Sequence, residues 1–415
     1  MADSKVRANM LNLSGDYPFT GSVTGHVADG SITAAKLSGT ISASKLTGAL
    51  PALDGSTLTG IPGITTSASD PVITTNPSGG VGTLWANTTS GEMYVCTDAT
   101  TDENIWYNVG AGTGDVQPWV YAGTSYGYTY GSQYPNNAGV DQHSFTTDGN
   151  SVDVANMNQL LMRWSYAGHS SATNGYCSGG STYPNTEYAT QIDTFAFASL
   201  VDMTAHGDLS QGRHFITGTS SATRGYTASG MRSGGKSNVI DSFLFANNVT
   251  SGDWGDLDVE TNAPGGVSSE DYGYCYGGQP SGYISAIHKW QNATQSAGTN
   301  VGDLSVDKSQ NGGVSSVTHG YSVGGYTGSP SNIIDRWAFV SDGLAGDVGD
   351  LSLSRYGVAN ATSTTSGYTM GGDVGSGGSS TNRIDKFSTV NFVTCANIGT
   401  LTGGTSSYMG MGSQH

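Results

Sequence analysis

The chain has 415 residues, of which 63 are glycine and 11% are charged, and its formal net charge is −17. So much glycine excludes an ordinary helical protein, and a hydrophobic fraction of 36% is too high for a wholly disordered chain. An acidic chain repels phosphate backbones, so no nucleic-acid partner is expected. No stretch approaches a membrane span, so no membrane insertion is expected either. The composition predicts an all-β fold that is rich in turns.

A nine-residue repeat occupies residues 31–48, as SITAAKLSG followed by TISASKLTG. Two apolar residues in nine cannot bury a core within one chain. The repeat therefore favours several chains wound together, and it predicts an extended, trimeric shaft with itself as partner. A disordered linker is the alternative. We assign residues 1–78 to this N-terminal attachment and shaft segment.

Residues 79–112 have a different pattern, with three short apolar runs separated by Asn, Thr and Asp turns. The runs are GTLWAN, GEMYVC and NIWYNV, of which the last covers Asn104–Val109. This segment is predicted to be a small β module or the lead-in strand to the domain that follows.

Three motifs recur through residues 113–415, which we assign to one domain. They are Gly-Tyr, Ile-Asp-x-aromatic and Gly-Asp-Leu, with weaker copies of the second at Gln142-His143 and Ile287-His288. The Ile of the second motif precedes the Gly of the third by 15 residues, and that Gly precedes the next Gly-Tyr by 18. Only the stretch after Gly-Tyr varies in length, so each unit is a fixed frame with one variable loop.

A unit of this size with four short strands is typical of one blade of a β-propeller. The last unit lacks its Ile-Asp strand, and Asn104–Val109 offers one before the domain. If both ends share a blade, the ring closes without exposed edges and has seven blades. Six blades are the alternative.

Charged residues also recur at fixed places. Acidic framework positions are Asp193, Asp241, Asp335 and Asp385, and basic ones are Arg163, Arg213, Lys308 and Arg355. The basic residues are expected to form ion pairs or hydrogen bonds with framework carboxylates on neighbouring strands. A basic ring around the central channel is the alternative.

The variable loops are predicted to form the binding face, because length variation in repeat proteins maps to loops on one face. They are rich in Tyr, Asn, Ser and Gly, a mixture that suits sugars and equally suits exposed turns. The candidate binding residues are Tyr134, Asn136, Tyr183, Asn185, Tyr188, Arg232, Lys236, Tyr283 and Tyr326.

Catalytic patterns are missing from the sequence. Glu is scarce, the repeated Asp residues occupy one framework position, and the His residues have no metal-ligand spacing. We therefore expect no enzymatic activity, no metal and no cofactor. The four Cys residues are expected to be small buried apolar groups rather than disulfides.

The segments ADGSITAAKLSG (28–39), LDGSTLTG (53–60) and GTLWANTTSGEMYVCTDAT (82–100) resemble the N-terminal regions of tail-fibre proteins of tailed bacteriophages. The repeat is similar to kelch-like repeats of marine and cyanobacterial phage virion proteins, although the Gly-Gly doublet is kept in only some units. The resemblance implies a structural virion protein of the phage tail, extracellular after release. It would attach to other tail or baseplate proteins through its N-terminus and present a propeller outward.

Three functions follow as expectations. The first is recognition of a host-surface glycan or protein by the propeller. The second is a structural or decorating role in the tail, neck or baseplate without a receptor. The third and weakest is depolymerisation of a host polysaccharide.

Overall fold

The computed structural model describes residues 64–110, 122–132, 137–158, 163–164, 166–182, 188–375, 380–391, 395–402 and 413–414. The nine-residue repeat of the predicted shaft, residues 31–48, lies outside the described residues. Throughout the described ranges the regular elements are β-strands, and no helix there is long and apolar enough to cross a membrane. The described strands form six four-stranded sheets, one five-stranded sheet and one two-stranded sheet.

The first sheet is made by residues before the repeats. Its strands are β1 (Thr65–Ser67), β2 (Leu84–Asn87), β3 (Met93–Asp98) and β4 (Ile105–Asn108). They lie in chain order, β1 is parallel to β2, and Tyr94, Cys96 and Trp106 form a core of their own. The sheet therefore begins before residue 79. Because β4 pairs with β3, the expectation that Asn104–Val109 completes a propeller blade is wrong.

The remaining sheets make up the six repeated units, which we call blades 1 to 6. Blade 1 contains β5 (Tyr126–Ser132), β6 (Asn137–Ser144) and β7 (Val152–Asn156). Blade 2 contains β9 (Ala167–Ser170), β10 (Asn174–Ser178), β12 (Gln191–Ala196) and β13 (Thr204–Asp208), beside the short pair β8 (Arg163–Trp164) and β11 (Ser181–Thr182). Blade 3 contains β14 (Thr217–Ser220), β15 (Arg224–Ala228), β17 (Gly235–Leu244) and β18 (Gly252–Thr261), with the short β16 (Met231–Arg232).

Blades 4 to 6 follow the same plan. Blade 4 contains β19 (Gly265–Ser268), β20 (Tyr272–Tyr276), β21 (Ile284–Gln291) and β22 (Thr299–Lys308). Blade 5 contains β23 (Gly312–Ser315), β24 (His319–Val323), β25 (Ile333–Ala338) and β26 (Gly346–Asp350). Blade 6 contains β27 (Ala359–Thr362), β28 (Ser366–Met370), β29 (Arg383–Ser388) and β30 (Ala396–Thr400).

The C-terminus supplies the missing first strand of blade 1. The last strand, β31 (Ser413–Gln414), pairs antiparallel with β5, with Ser413 opposite Tyr128 and Gln414 opposite Gly127. The first strands then contact one another in the closed order β9, β14, β19, β23, β27, β31 and back to β9. This architecture is consistent with a β-propeller, and the ring has six blades rather than the seven expected from a shared blade with Asn104–Val109.

The hydrophobic core lies between blades. Tyr226, Ile240 and Leu257 of blade 3, for example, pack against Cys275 and Trp290 of blade 4. An equivalent cluster joins each blade to the next, including blade 6 to Phe145 of blade 1. The repeated tyrosine adds a hydrogen bond across the same junction, as where the Tyr226 hydroxyl donates to the Asn292 carbonyl at 2.7 Å.

The glycine of Gly-Tyr is required by the aromatic residue of the second motif. Gly225 lies opposite Phe243 on the neighbouring strand, and a Cβ on Gly225 would sit 2.3 Å from the Phe243 ring. Any side chain there would displace the ring from the core between blades. The two motifs thus form one cross-strand pair, which explains why they recur together.

Two belts of hydrogen bonds link the blades near the axis. In one belt the amides of Ser170, Ser220, Ser268 and Ser315 donate to the hydroxyl of the equivalent Ser or Thr in the next blade, at 2.9–3.2 Å. In the other belt the amide of Ala263 donates to the Phe215 carbonyl, that of Gln310 to Ala263, and that of Gly357 to Gln310. The belts lie at opposite ends of the first strands.

Candidate binding site

Three of the four basic framework residues form buried ion pairs across blade junctions. Arg213 lies 2.7 Å from Asp241, Lys308 lies 2.8 Å from Asp335, and Arg355 lies 3.2 Å from Asp385, and all six side chains are fully buried. Lys308 ends β22 of blade 4, whereas Arg213 and Arg355 lie in the connections that lead into blades 3 and 6. Each carboxylate lies on the third strand of the blade that follows the cation. The side chain of Arg163 lies outside the described residues, and Asp193 accepts a hydrogen bond from Gln191.

The Arg213 pair shows how such a charge is accommodated. Its guanidinium also donates to the carbonyls of Val239 and Ser229, at 2.6 and 3.1 Å. Ser210 donates both its hydroxyl and its amide to the Asp241 carboxylate. Burial nevertheless lowers the pKa of Arg213 and raises the pKa of Asp241, because the low-dielectric interior disfavours both charged forms.

The junction between blades 3 and 4 carries a different set of residues. Thr261 stands at the basic position, His288 at the acidic position, and Asp258 at the position of Ser210. His288 Nε2 lies 2.6 Å from Asp258 Oδ1. Donor and acceptor have therefore exchanged strands while the polar link between blades is kept.

The framework carboxylate of blade 1 is Asp141. The motif copy predicted at Gln142-His143 would have placed His143 at this position, two residues later in the chain. Thr129 faces Asp141 on the neighbouring strand, just as Thr227 faces Asp241 in blade 3. Asp141 is buried and accepts the amide of Thr402 at 3.0 Å, which links it to blade 6.

The described inner strands pack closely against one another. The residues of β14, β19 and β23 are buried except Gly313, and glycines let adjacent strands approach closely. A Cβ on Gly313 would lie 1.9 Å from the Gly266 carbonyl, and one on Gly218 would lie 2.5 Å from the Gly168 carbonyl. The three paired cations lie within the blade junctions, so they do not form a basic ring around a channel.

The two faces differ in how their loops vary. The turns between first and second strands and between third and fourth strands keep the same length in the described blades, the latter being seven residues each time. We call this side the constant face. The opposite side, the variable face, carries the loops between second and third strands and the connections between blades, which pair with each other at Ser309 and Tyr326 and at Tyr356 and Asp373.

The chain enters the propeller on the constant face. The amide of Gly123 donates to the Thr362 carbonyl, at the end of β27 that leads into the constant turn, and β5 then runs toward the variable face. The described chain therefore enters β5 on the side opposite the variable loops.

Five of the nine candidate binding residues fall within the described residues, and all five lie on the variable face. They are Tyr188, Arg232, Lys236, Tyr283 and Tyr326, and each is partly buried. The other four, Tyr134, Asn136, Tyr183 and Asn185, lie outside the described residues.

Neighbouring variable loops contact one another instead of standing apart. Tyr188 packs edge-on against His214, with ring centroids 5.0 Å apart. Lys236 donates to the Pro280 carbonyl of the next blade, from a hairpin in which Arg232 pairs with Gly235. A surface held by such contacts loses little conformational entropy on binding, which favours affinity.

Blades 4 to 6 bring three tyrosines together. Tyr283 and Tyr326 meet edge to face with centroids 5.8 Å apart, and Tyr326 meets Tyr356 in the same way at 5.0 Å. Tyr356 lies in the connection between blades 5 and 6, so the length variation of the loops does not select it. The sequence does hold a signal, because the residue after the basic framework position varies: His214 follows Arg213, and Tyr356 follows Arg355.

Metal and thiol chemistry find no support in the described part of the chain. No group of three or more His, Cys, Asp or Glu side chains there could hold a metal ion. All four cysteines are buried, and burial raises the pKa of the Cys395 thiol to about 12, so it stays protonated.

Comparison with protein-family models finds no match, and comparison with curated protein sequences finds none either.

Proposed function

We propose that this chain is a structural, tail-fibre-like virion protein of a tailed bacteriophage, and that its propeller recognises a host-surface receptor, in the first place a glycan. The observation that carries the proposal is the polarity of the propeller. The first described residues of the propeller, from Gly123 into β5, lie on the constant face, and Tyr283 and Tyr326 of the variable loops lie on the opposite face. A fibre attached through its N-terminus would direct those loops away from the particle.

Several finer features belong to the same proposal. The propeller is kelch-like in its repeat, and the nine-residue repeat at 31–48 belongs to a shaft through which three copies associate. The N-terminus binds other tail or baseplate proteins, and the protein acts without a cofactor or an enzymatic activity. It resides in the phage tail and is extracellular after release, with neither nucleic acid nor a membrane as partner.

A purely structural or decorating role is the second candidate. It is favoured by aliphatic side chains on the constant face, where Val340 is 96% and Leu344 is 80% exposed. Such side chains suit packing against other virion proteins. In that case the variable face would have no receptor of its own.

Binding to host cells separates the two candidates. Purified full-length protein is incubated with a panel of marine bacterial and cyanobacterial strains, and cell-bound protein and phage adsorption are measured. We expect saturable binding to some strains and blocked adsorption on the same strains. Absence of binding together with normal adsorption would leave the structural role. Release of reducing ends from the cell polysaccharide would instead reveal a depolymerase.

A further inference from the structure

The tyrosine cluster formed by Tyr283, Tyr326 and Tyr356 extends over three consecutive blades. Tyr283 comes from the variable loop of blade 4, Tyr326 from that of blade 5, and Tyr356 from the connection into blade 6. All three rings are partly exposed, and each meets its neighbour edge to face. Edge-to-face contacts hold rings at fixed angles, so the cluster presents apolar ring surface in a set orientation.

The backbone holds the cluster in place. Tyr326 exchanges two hydrogen bonds with Ser309, at 2.8 and 3.0 Å, and Tyr356 exchanges two with Asp373, at 2.8 and 3.1 Å. These bonds tie each tyrosine to the loop or connection of an adjacent unit. The rings therefore need little ordering when a ligand binds.

We propose that the tyrosine cluster binds a neutral hexose chain that runs across blades 4 to 6. This proposal rests on the proposed function, since it assigns the place and the chemical class of the receptor. Pyranose rings have apolar C–H faces that pack on tyrosine rings, and their hydroxyls can form hydrogen bonds with tyrosine hydroxyls. Ring stacking suits a ligand that carries no charge.

Electrostatics favours a neutral chain over an anionic one. The nearest repeated cations do not face the cluster, because Arg355 is buried with Asp385 and Lys308 with Asp335. Lys236 is already engaged with the Pro280 carbonyl. The chain as a whole carries a net charge of −17, which repels sulfated, uronic or phosphate-bearing polymers.

The test uses full-length protein and the strains that bind it. Binding of the wild type is compared with that of Tyr326→Ala, Tyr326→Phe and Tyr283→Ala, with Tyr107→Ala, an exposed tyrosine of the first sheet, as the control. We expect about tenfold weaker binding for Tyr326→Ala and Tyr283→Ala, the scale of losing an aromatic anchor. Tyr326→Phe and Tyr107→Ala should bind within about twofold of wild type.

Three further measurements keep the outcomes distinct. Melting temperatures of the variants establish that weak binding does not come from unfolding, and Tyr283→Ala serves if Tyr326→Ala unfolds. Periodate treatment of the cells, which cleaves vicinal diols, should abolish binding, as should competition by a neutral hexan from the same strain. Two results would overturn the inference while leaving receptor recognition intact. One is binding that resists periodate but is lost after protease treatment of the cells. The other is equal binding by the wild type and both alanine variants of the cluster. If the wild type binds no strain, the proposed function itself fails.

Discussion

The Arg213–Asp241 ion pair offers the sharpest test of how the ring is held together. Arg213→Ala leaves the Asp241 carboxylate buried between blades 2 and 3 with Ser210 as its remaining donor. Removing one partner of a buried pair costs about 3–5 kcal/mol, because an uncompensated charge stays in the interior. The wild-type pair itself need not be worth so much, since burial already disfavours both charged forms.

The expected change can be read as a melting temperature. Unfolding entropy near the midpoint is about 2.1 cal/mol/K per residue, so a domain of about 300 residues loses roughly 1.6 °C per kcal/mol. Arg213→Ala should therefore lower the melting temperature of the propeller by about 5–8 °C. Differential scanning calorimetry gives this value, with unfolding followed by tryptophan fluorescence as a second probe.

The junction between blades 3 and 4 provides the matched control. Its residues Asp258, Thr261 and His288 perform the same linkage with donor and acceptor exchanged. The triple variant Ser210→Asp, Arg213→Thr, Asp241→His copies that set and should recover more than half of the loss. An unchanged melting temperature for Arg213→Ala would refute the view that these pairs hold the blades together.

Three other predictions concern the same frame. Burial lowers the pKa of His143 to about 3, so the ring stays neutral in the folded state. In the unfolded state the same ring takes up a proton below its ordinary pKa of about 6.5. The free energy of unfolding therefore falls as the pH drops below that value, by about 2 kcal/mol at pH 5. His143→Phe, which copies Phe195 and Phe243, should remove this part of the loss, and a melting temperature that falls equally in both proteins between pH 7 and pH 5 would contradict it. Deleting Ser413–His415 removes β31, which pairs with β5, and should lower the melting temperature by several degrees. Deleting His415 alone should leave the melting temperature unchanged. Equal effects of the two deletions would argue against closure of the ring by β31. Deleting residues 1–113 should leave a folded propeller, because β4 belongs to its own sheet, and an unfolded product by circular dichroism would show that blade closure needs the N-terminal segment.

The repeat could be read from the sequence because its spacings reflect backbone contacts. Gly225 and Phe243 must face each other, and the Tyr226 hydroxyl must reach the next blade. The position of both motifs within each repeat is therefore fixed. The constant turns fix the remaining distances. Four-stranded blades and the side on which loops vary follow from these constraints alone.

Closure of the ring could not be read in the same way. The closing strand is Ser413–Gln414, two residues that contain none of the three motifs. Asn104–Val109 looked like a better strand, because its apolar pattern is strong, but that pattern serves the core around Trp106 in the first sheet. Strand patterns report burial, and they do not report which core a strand joins.

The motif copy of blade 1 is concealed in the sequence for a related reason. Val140 replaces the Ile of the second motif and His143 replaces its aromatic residue, so the motif match at Gln142-His143 falls two residues too late. Asp141 is nevertheless buried at the junction and bonded to blade 6. The candidate site depends on the ring even more, since contacts such as that of Tyr326 with Tyr356 join segments that only the ring brings together.

The frame and the variable face carry different kinds of constraint, and this division bears on function. Aromatic packing links each blade to the next, the two belts add hydrogen bonds among blades 2 to 6, and polar side chains link the junctions at which both partners are described. At the junction between blades 3 and 4, Asp258, Thr261 and His288 differ together from their counterparts, which indicates that these frame positions depend on one another. The variable loops lie outside this frame, so their sequences can change while the ring stays folded. Under the proposed function, such exchangeable loops on a stable ring would let the protein follow a changing receptor.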